Sequence, residues 1–418
     1  MRILLTAIGT RGDMEPFLAI GKLLVQRGHE VHLMMPAQFE PLAEEEGLAF
    51  HSLGEAFIKM LDSEVGKRAL GGGGGFWSKI LAYIQLAMQQ GKVNKDMVLI
   101  QQEVISRLHP DLILYNAKVM VPVLWGMQPH HRAIQVSPVL YLHEVRDHSH
   151  IAFNRNFGPF WNRQTFALAR FGLVKTLLKA QEWLQVNKPF DKQSITHYLK
   201  NNEVIYTISP YLFPKPQEWP EHRRVMGYFE RSKEIHFTPS AGLLAFLDRH
   251  KEILFITFGS MTNPAPEEKT RIVLQVLKEL QIPALINTAA GGLVVPESYD
   301  QQRVHFVDQV PYDFILPHMK AMVHHGGSGT VHLALKNALP TLIIPHIIDQ
   351  FVWDRELSAQ AFGPRGIPIA KLNEKVLKKK VLDLWTNPLY TQNAKAISEK
   401  MASENFEKEF FKVIENQG

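Results

Sequence analysis

Two clusters of residues in this chain could do chemistry. The larger is His324-His325-Gly326-Gly327-Ser328-Gly329-Thr330, followed by an acid–amide pair, Asp349 and Gln350. Glycines let the backbone approach an incoming group closely and adopt positive φ. A helix starting at such a turn aims unpaired N–H groups and the positive end of its dipole at one point. With His325 beside that point to add a donor or a charge, Gly327, Ser328, Gly329 and Thr330 suit a phosphate. An ordinary glycine turn between strand and helix would use the same residues. Asp349 and Gln350 offer acceptors and donors to sugar hydroxyls, or, more simply, Asp349 caps a second helix.

The smaller cluster is Gly9-Thr10-Arg11-Gly12-Asp13-Met14-Glu15-Pro16. Asp13 stands where the first loop of a doubly wound sheet faces a ligand crevice, so it could accept a proton there. The commoner role for such a residue is to cap a helix, with Glu15 and Pro16 in the first turn. The loop is not G-x-G-x-x-G, and nothing in it asks for a dinucleotide. His143-Glu144-Val145-Arg146-Asp147-His148-Ser149-His150 has the composition of a metal site, but its spacing matches no helical pairing of ligands. A solvated or ligand-lining loop is the better reading.

The elements that must carry these residues alternate. An apolar run at 3–8, a helical pattern at 14–27 and a strand at 31–35 open a doubly wound α/β domain. Strands follow at 111–115, ending in Asn116, at 132–137 and at 204–208. The glycine run Gly71–Gly75 reads as a flexible loop tip. Residues 138–200 hold an aromatic-rich insertion including Tyr141, Phe160 and Trp161. It could wall a flat or lipophilic ligand site, or be ordinary helix core. Pro214, Pro216 and Pro220 make a linker-like stretch. A second alternation then runs through a helix at 241–249, strands at 253–257, 283–287 and 303–307, and the βαβ unit around the glycine turn. A helical pattern from about 390 to 414 closes the chain.

Composition bounds the class. The 418 residues are 45% hydrophobic and 21% charged, as in a globular protein with more than one core. The formal charge of +5 fits anionic substrates or a weak attraction to acidic membrane, and does not argue for nucleic acid. With no cysteine, disulfides, thiolate nucleophiles and Cys-ligated zinc are excluded. The N-terminal run reads as a buried strand rather than a signal peptide, no apolar stretch reaches membrane-span length, and a cytoplasmic location is the default expectation.

The segment from His324 to Trp353 resembles the donor-binding signature of family 1 glycosyltransferases, the UDP-glycosyltransferases. Its HHGGSGT and DQFVW forms look most like the branch containing sterol, glycopeptide and rhamnolipid glycosyltransferases. The resemblance implies the GT-B fold: two Rossmann-like domains facing each other across a cleft. The expected boundaries are an acceptor domain at 1–225, a linker at 226–250, a nucleotide-sugar domain at 251–388 and a terminal helix at 389–418 returning to the first domain. It implies inverting transfer of a hexose, glucose by preference, from a UDP-sugar to a hydroxyl of a small lipophilic or phenolic acceptor. A nucleotide-sugar 2-epimerase and a non-catalytic helper subunit are the alternatives.

By the same resemblance, Asp13 in its GTRGDxxP setting is the general base, where many relatives carry a histidine. Thr10, Arg11, Ser260 of the Phe258-Gly259-Ser260 turn, His325 and the glycine-turn residues would meet the diphosphate. The backbone of Val310 would meet the base of the nucleotide, and Asp349 and Gln350 the sugar. Gln309 and Tyr312 stand where plant members have Trp and Gln, which leaves UDP and dTDP both open. Asn116, Tyr141, His143 and Phe160 are candidate acceptor-lining residues. No two aspartates stand two apart, so the D-x-D metal–diphosphate device is missing, and neither a metal nor another cofactor is expected.

Overall fold

The computed structural model describes residues 1–56, 59, 76–153, 155–231, 237–263 and 265–415; the glycine run Gly71–Gly75 lies outside the described residues. The chain divides into two compact units, Met1–Ser232 with Phe406–Gly418, and Lys233–Asn405.

The first unit is built on seven parallel strands: β1 (Arg2–Thr6), β2 (Glu30–Met35), β3 (Ala49–Ser52), β4 (Leu112–Tyr115), β5 (Ala133–Ser137), β6 (Glu203–Tyr206) and β7 (Arg223–Val225). Their order is β3-β2-β1-β4-β5-β6-β7. Both faces of the sheet are covered, which is why its strands read as unbroken apolar runs rather than alternating ones. In β1, Ile3 and Leu5 pack into one core with Phe17 and Ile20 of helix α1 (Arg11–Gln26), while Leu4 enters a second core with Ile113 and Met34. The order reverses between β1 and β4, whose ends pair at Thr6 and Tyr115. That reversal is the topological switch point, where open α/β sheets leave a crevice beyond the strand ends. The Gly9–Asp13 loop and the Asn116–Lys118 loop flank it. The aromatic-rich insertion forms helix α2 (Pro159–Trp183) and the helix Lys192–Asn201.

The second unit repeats the plan with five parallel strands: β8 (Leu254–Thr257), β9 (Ala284–Asn287), β10 (Val304–Val307), β11 (Ala321–His324) and β12 (Thr341–Ile343). The order is β10-β9-β8-β11-β12, so its switch point lies between β8 and β11, with His324 opposite Thr257. The Gly259–Ser260 turn leaves β8 there. The glycine turn leaves β11 beside it and opens α3 (Ser328–Lys336); β12 leads into α4 (Ile348–Ala359). Helix Ala241–Arg249, inside the expected 226–250 linker, buries Leu243 and Phe246 in this unit's core and belongs to the unit.

The closing helical pattern is two helices, not one. α5 (Pro388–Ala402) packs on α3, where Ser398 Oγ donates to the Lys336 carbonyl at 2.6 Å. The chain then turns at Ser403–Asn405, and α6 (Glu407–Glu415) buries Phe410, Val413 and Ile414 in the first unit's core. Phe410 meets Phe229 edge-on at 5.0 Å, and Arg27 binds Glu415 at 2.8 Å. The apolar spacing continues through the break, since each half buries its own stripe against a different partner.

Candidate functional site

In the second unit the glycine turn is shaped by its two histidines. His324 is fully buried, and its Nδ1 accepts the Gly326 N–H at 3.0 Å. Gly326 has φ +94°, and a Cβ there would come within 2.7 Å of Ile343 Cγ2. The His325 ring lies between two glycines: a Cβ on Gly327 would come within 2.5 Å of its Nε2, and one on Gly259 within 2.8 Å of its Cε1. Gly259, at φ +55°, turns the chain after β8. Thus the Ser260 turn, exposed at its tip, and the His325–Gly327 turn are in direct contact through this imidazole.

Desolvation decides the protonation of these rings. Burial pushes His325 well below its ordinary value, helped by His324 and His346. It pushes His324 to about 3 and His346 and His332 to about 4. Of the two roles open to His325, donor or charge, burial removes the second: it is a neutral imidazole at working pH. Its Nδ1 is buried and finds no partner among the described residues.

Positive potential must then come from α3 itself. Gly327 is its N-cap and supplies no side chain, and the first helical bond is Val331 N–H to the Gly327 carbonyl at 2.9 Å. The amides of Ser328, Gly329 and Thr330 occupy the positions that a helix leaves without intrahelical acceptors. Ser328 Oγ is also buried and has no partner among the described residues. His332 Nδ1 sits 2.7 Å from the Ser328 carbonyl, and its ring meets Trp353 edge-on, bracing the first turn. The free amides lie at the dipole's positive end, which suits an anion.

The neighbouring residues divide. Gln350 is 3% exposed, and its Oε1 accepts the N–H groups of His346 at 2.7 Å and Ile347 at 3.1 Å. Its carbonyl oxygen is therefore committed to the β12–α4 loop rather than turned to a sugar. Asp349 stands half-buried in the first turn of α4, where a negative charge complements the dipole. Val310 buries its side chain in the core, while its main-chain N–H and C=O find no partner among the described residues. Tyr312 packs edge-on against Phe255.

In the first unit Asp13 caps its helix and also reaches a residue of the loop after β4. At the third position of α1, its Oδ2 accepts the Thr10 N–H at 2.9 Å, closing a helix cap, so Thr10 is used as a capping residue. Its Oδ1 accepts from Lys118 Nζ at 2.8 Å, across the switch point. Arg11 is exposed and holds Glu15 at 2.9 Å. Asn116 is not a lining residue. It is 4% exposed, its Nδ2 donates to the Ile8 carbonyl at 2.8 Å, and its Oδ1 accepts from Ile8 N and Lys118 N. It staples the ends of β1 and β4 together. Tyr141, at φ +54°, stacks on His148 at 4.0 Å and meets Phe213 edge-on. His143 Nδ1 lies 2.7 Å from Tyr206 Oη, and burial takes its pKa to about 3. Phe160 is 66% exposed on α2 and touches only Trp161 among the described rings. Among the described residues, no three His, Asp or Glu gather as metal ligands, and no helix is long and apolar enough to cross a membrane.

Comparison with known proteins bears on both units. Residues 3–92 match the glycosyltransferase family 28 N-terminal domain, and residues 295–416 match the erythromycin biosynthesis protein CIII-like C-terminal domain. A sterol 3-beta-glucosyltransferase of Arabidopsis thaliana, UGT80A2, is 28% identical over 88% of the chain. One of Saccharomyces cerevisiae is 25% identical over 99% of it. In both units the chain resembles the family 1 GT-B glycosyltransferases. It spans 58% and 35% of the length of these two relatives. Among solved structures, the kitacinnamycin glycotransferase aligns over 100% of this chain and 98% of its own, with a TM-score of 0.72 at 17% identity. The calicheamicin glycosyltransferase CalG4 aligns over 99% and 97%, with a TM-score of 0.71 at 15% identity. At such identities these structures speak for the GT-B fold.

Lys118, which contacts Asp13 at 2.8 Å, is the neighbour that sequence reasoning missed. The signal for Lys118 was indirect: doubly wound order sets the loop after β4 opposite the loop after β1.

Proposed function

We propose that this chain is an inverting glycosyltransferase that moves glucose from a UDP-sugar to a hydroxyl of a small lipophilic acceptor. The observation that carries the reading is the uncapped start of α3, where three amides, Ser328 Oγ and the neutral His325 converge at the β8–β11 switch point. A nucleoside diphosphate placed there would meet hydrogen-bond donors before and during departure. Developing negative charge on the leaving oxygen would thus be stabilised without a cation. Residue types agree: the sequence lacks D-x-D, and the donors present are main-chain amides. Val310, whose main-chain groups have no partner among the described residues, would read the nucleobase. The curated relatives named above are sterol 3-beta-glucosyltransferases, which supports glucose and a lipophilic acceptor.

In the transfer, the acceptor oxygen forms its bond to the anomeric carbon from the face opposite the diphosphate. The bond from that carbon to the diphosphate oxygen breaks, and its electron pair leaves with UDP. The hydroxyl proton passes to the Asp13 carboxylate, a role typically worth about 10²–10⁴-fold in rate. The test is a mass-spectrometric screen of purified protein with UDP-glucose and dTDP-rhamnose against sterols, phenols and hydroxy-lipids. Expected is a mono-glucosylated product from UDP-glucose, lost in Asp13→Asn while UDP still binds. C2 epimerisation of the donor without acceptor, or binding with no turnover, would replace this reading with an epimerase or a helper subunit. Product from dTDP-rhamnose alone would shift the donor, consistent with Gln309 standing where plant members carry Trp.

A further inference from the structure

Lys118 is held in place as carefully as Asp13. Its own N–H is bound at 3.2 Å by Asn116 Oδ1, the group that also binds Ile8 N and so ties the β4 end to the β1 end. From this anchored backbone the side chain crosses the switch point to Asp13 Oδ1 at 2.8 Å. The β1 end is shaped around the pair. Gly9 has φ +147°, and a Cβ there would overlap Asp13 Oδ2 and come 2.7 Å from Lys118 Nζ. The helix cap needs only Oδ2, which accepts from Thr10. The bond to Oδ1 serves no capping purpose. The Lys118 side chain is 49% exposed and that of Asp13 13%, so water reaches the pair from the lysine side and screens it.

We propose that Lys118 is a positioning residue for the transfer, fixing the Asp13 carboxylate in the orientation that receives the acceptor proton. This rests on the glycosyltransferase reading above. A carboxylate offers about four lone-pair sites. The Thr10 amide fixes one on Oδ2 and the Lys118 ammonium one on Oδ1, which pins rotation of the group and leaves the other Oδ1 site for a hydroxyl. During transfer the acceptor O–H bond breaks, its proton moves to Oδ1, and the acceptor oxygen bonds the anomeric carbon as UDP leaves. Lys118 neither gives nor takes a proton in this step, and the proton on Asp13 passes to water afterwards to restore the starting state.

The experiment is a double-mutant cycle with Lys118→Met, Lys118→Arg, Asp13→Asn and the Asp13→Asn/Lys118→Met pair. Turnover is measured with UDP-glucose and a panel of cholesterol, 2-naphthol and 12-hydroxystearate; UDP affinity and thermal midpoint are measured for every variant. Expected for Lys118→Met is a fall in kcat of about 10- to 100-fold, the scale of a misplaced catalytic group, with UDP affinity and midpoint unchanged. Lys118→Arg recovers part of the loss, and Lys118→Met has no further effect once Asp13 is Asn. If the wild type transfers to a panel member and Lys118→Met stays within twofold of it, the inference fails alone. It fails also if the losses of the two single variants multiply in the double variant, or if Lys118→Met lowers the midpoint along with kcat. A wild type inactive on the whole panel sinks the glycosyltransferase reading, and this inference with it.

Discussion

Replacing Gln350 by alanine separates a residue that builds the loop from one that holds a sugar. In the structure its Oε1 accepts two main-chain N–H groups, from His346 and Ile347, at 2.7 and 3.1 Å, and the residue is 3% exposed. Truncation leaves both donors without an acceptor. A donor stranded in that way costs about 1–3 kcal/mol, toward the lower end where water can reach it. His346 and Ile347 are half-buried, so the sum is about 2–4 kcal/mol. For a domain of roughly 150–250 residues each kcal/mol moves the midpoint by about 2–4 °C, giving a drop on the order of 10 °C in the transition of the second unit. Calorimetry of Gln350→Ala and Gln350→Glu should show that fall in the first and a substantial recovery in the second, because glutamate keeps an acceptor oxygen at the same reach. A Gln350→Ala midpoint within about 2 °C of wild type, together with lost glucose transfer and unchanged UDP affinity, would refute the structural assignment.

Acid should weaken the fold through its buried histidines. His324 and His143 titrate at about 3 and His332, His346 and His150 at about 4, all lowered first by burial. The unfolded chain binds these protons near the ordinary value of about 6.5. Stability is therefore fully present above that pH and falls as pH drops from there toward 4, by up to about 1.4 kcal/mol per histidine per pH unit. Urea midpoints that hold level between pH 7 and pH 5 would contradict this. Gly327→Val should weaken UDP binding at least about 10-fold by calorimetric titration, since a Cβ there displaces the His325 ring and narrows the approach to the α3 amides; unchanged affinity would separate the turn from the nucleotide.

Much of the fold was legible because parallel strands covered on both faces announce themselves as short apolar runs. Ile3–Ile8 and Ala321–Val323 are of that kind. The glycine turn was legible for a local reason: Gly326 and Gly259 hold positive φ, and Gly327 faces a ring, so the positions accept little else. Three features were not local. Lys118 reaches Asp13 only because β4 pairs with β1, a contact between residues 105 positions apart. Asn116 and Gln350 have the polar character of ligand-facing residues, and only the folded loops reveal that their side chains are used by neighbouring amides. At the end of the chain, hydrophobic periodicity runs on through Ser403–Asn405 although the buried stripe changes partner there. A pattern of apolar spacing states that a face is buried, not against which unit.

The central claim concerns the start of α3, and a crystal soaked with UDP at millimolar concentration tests it most directly. The account predicts diphosphate density against the amides of Ser328, Gly329 and Thr330, within hydrogen-bond reach of the His325 ring. Density for the diphosphate elsewhere on the second unit, or bridged to carboxylates through a divalent ion, would contradict it.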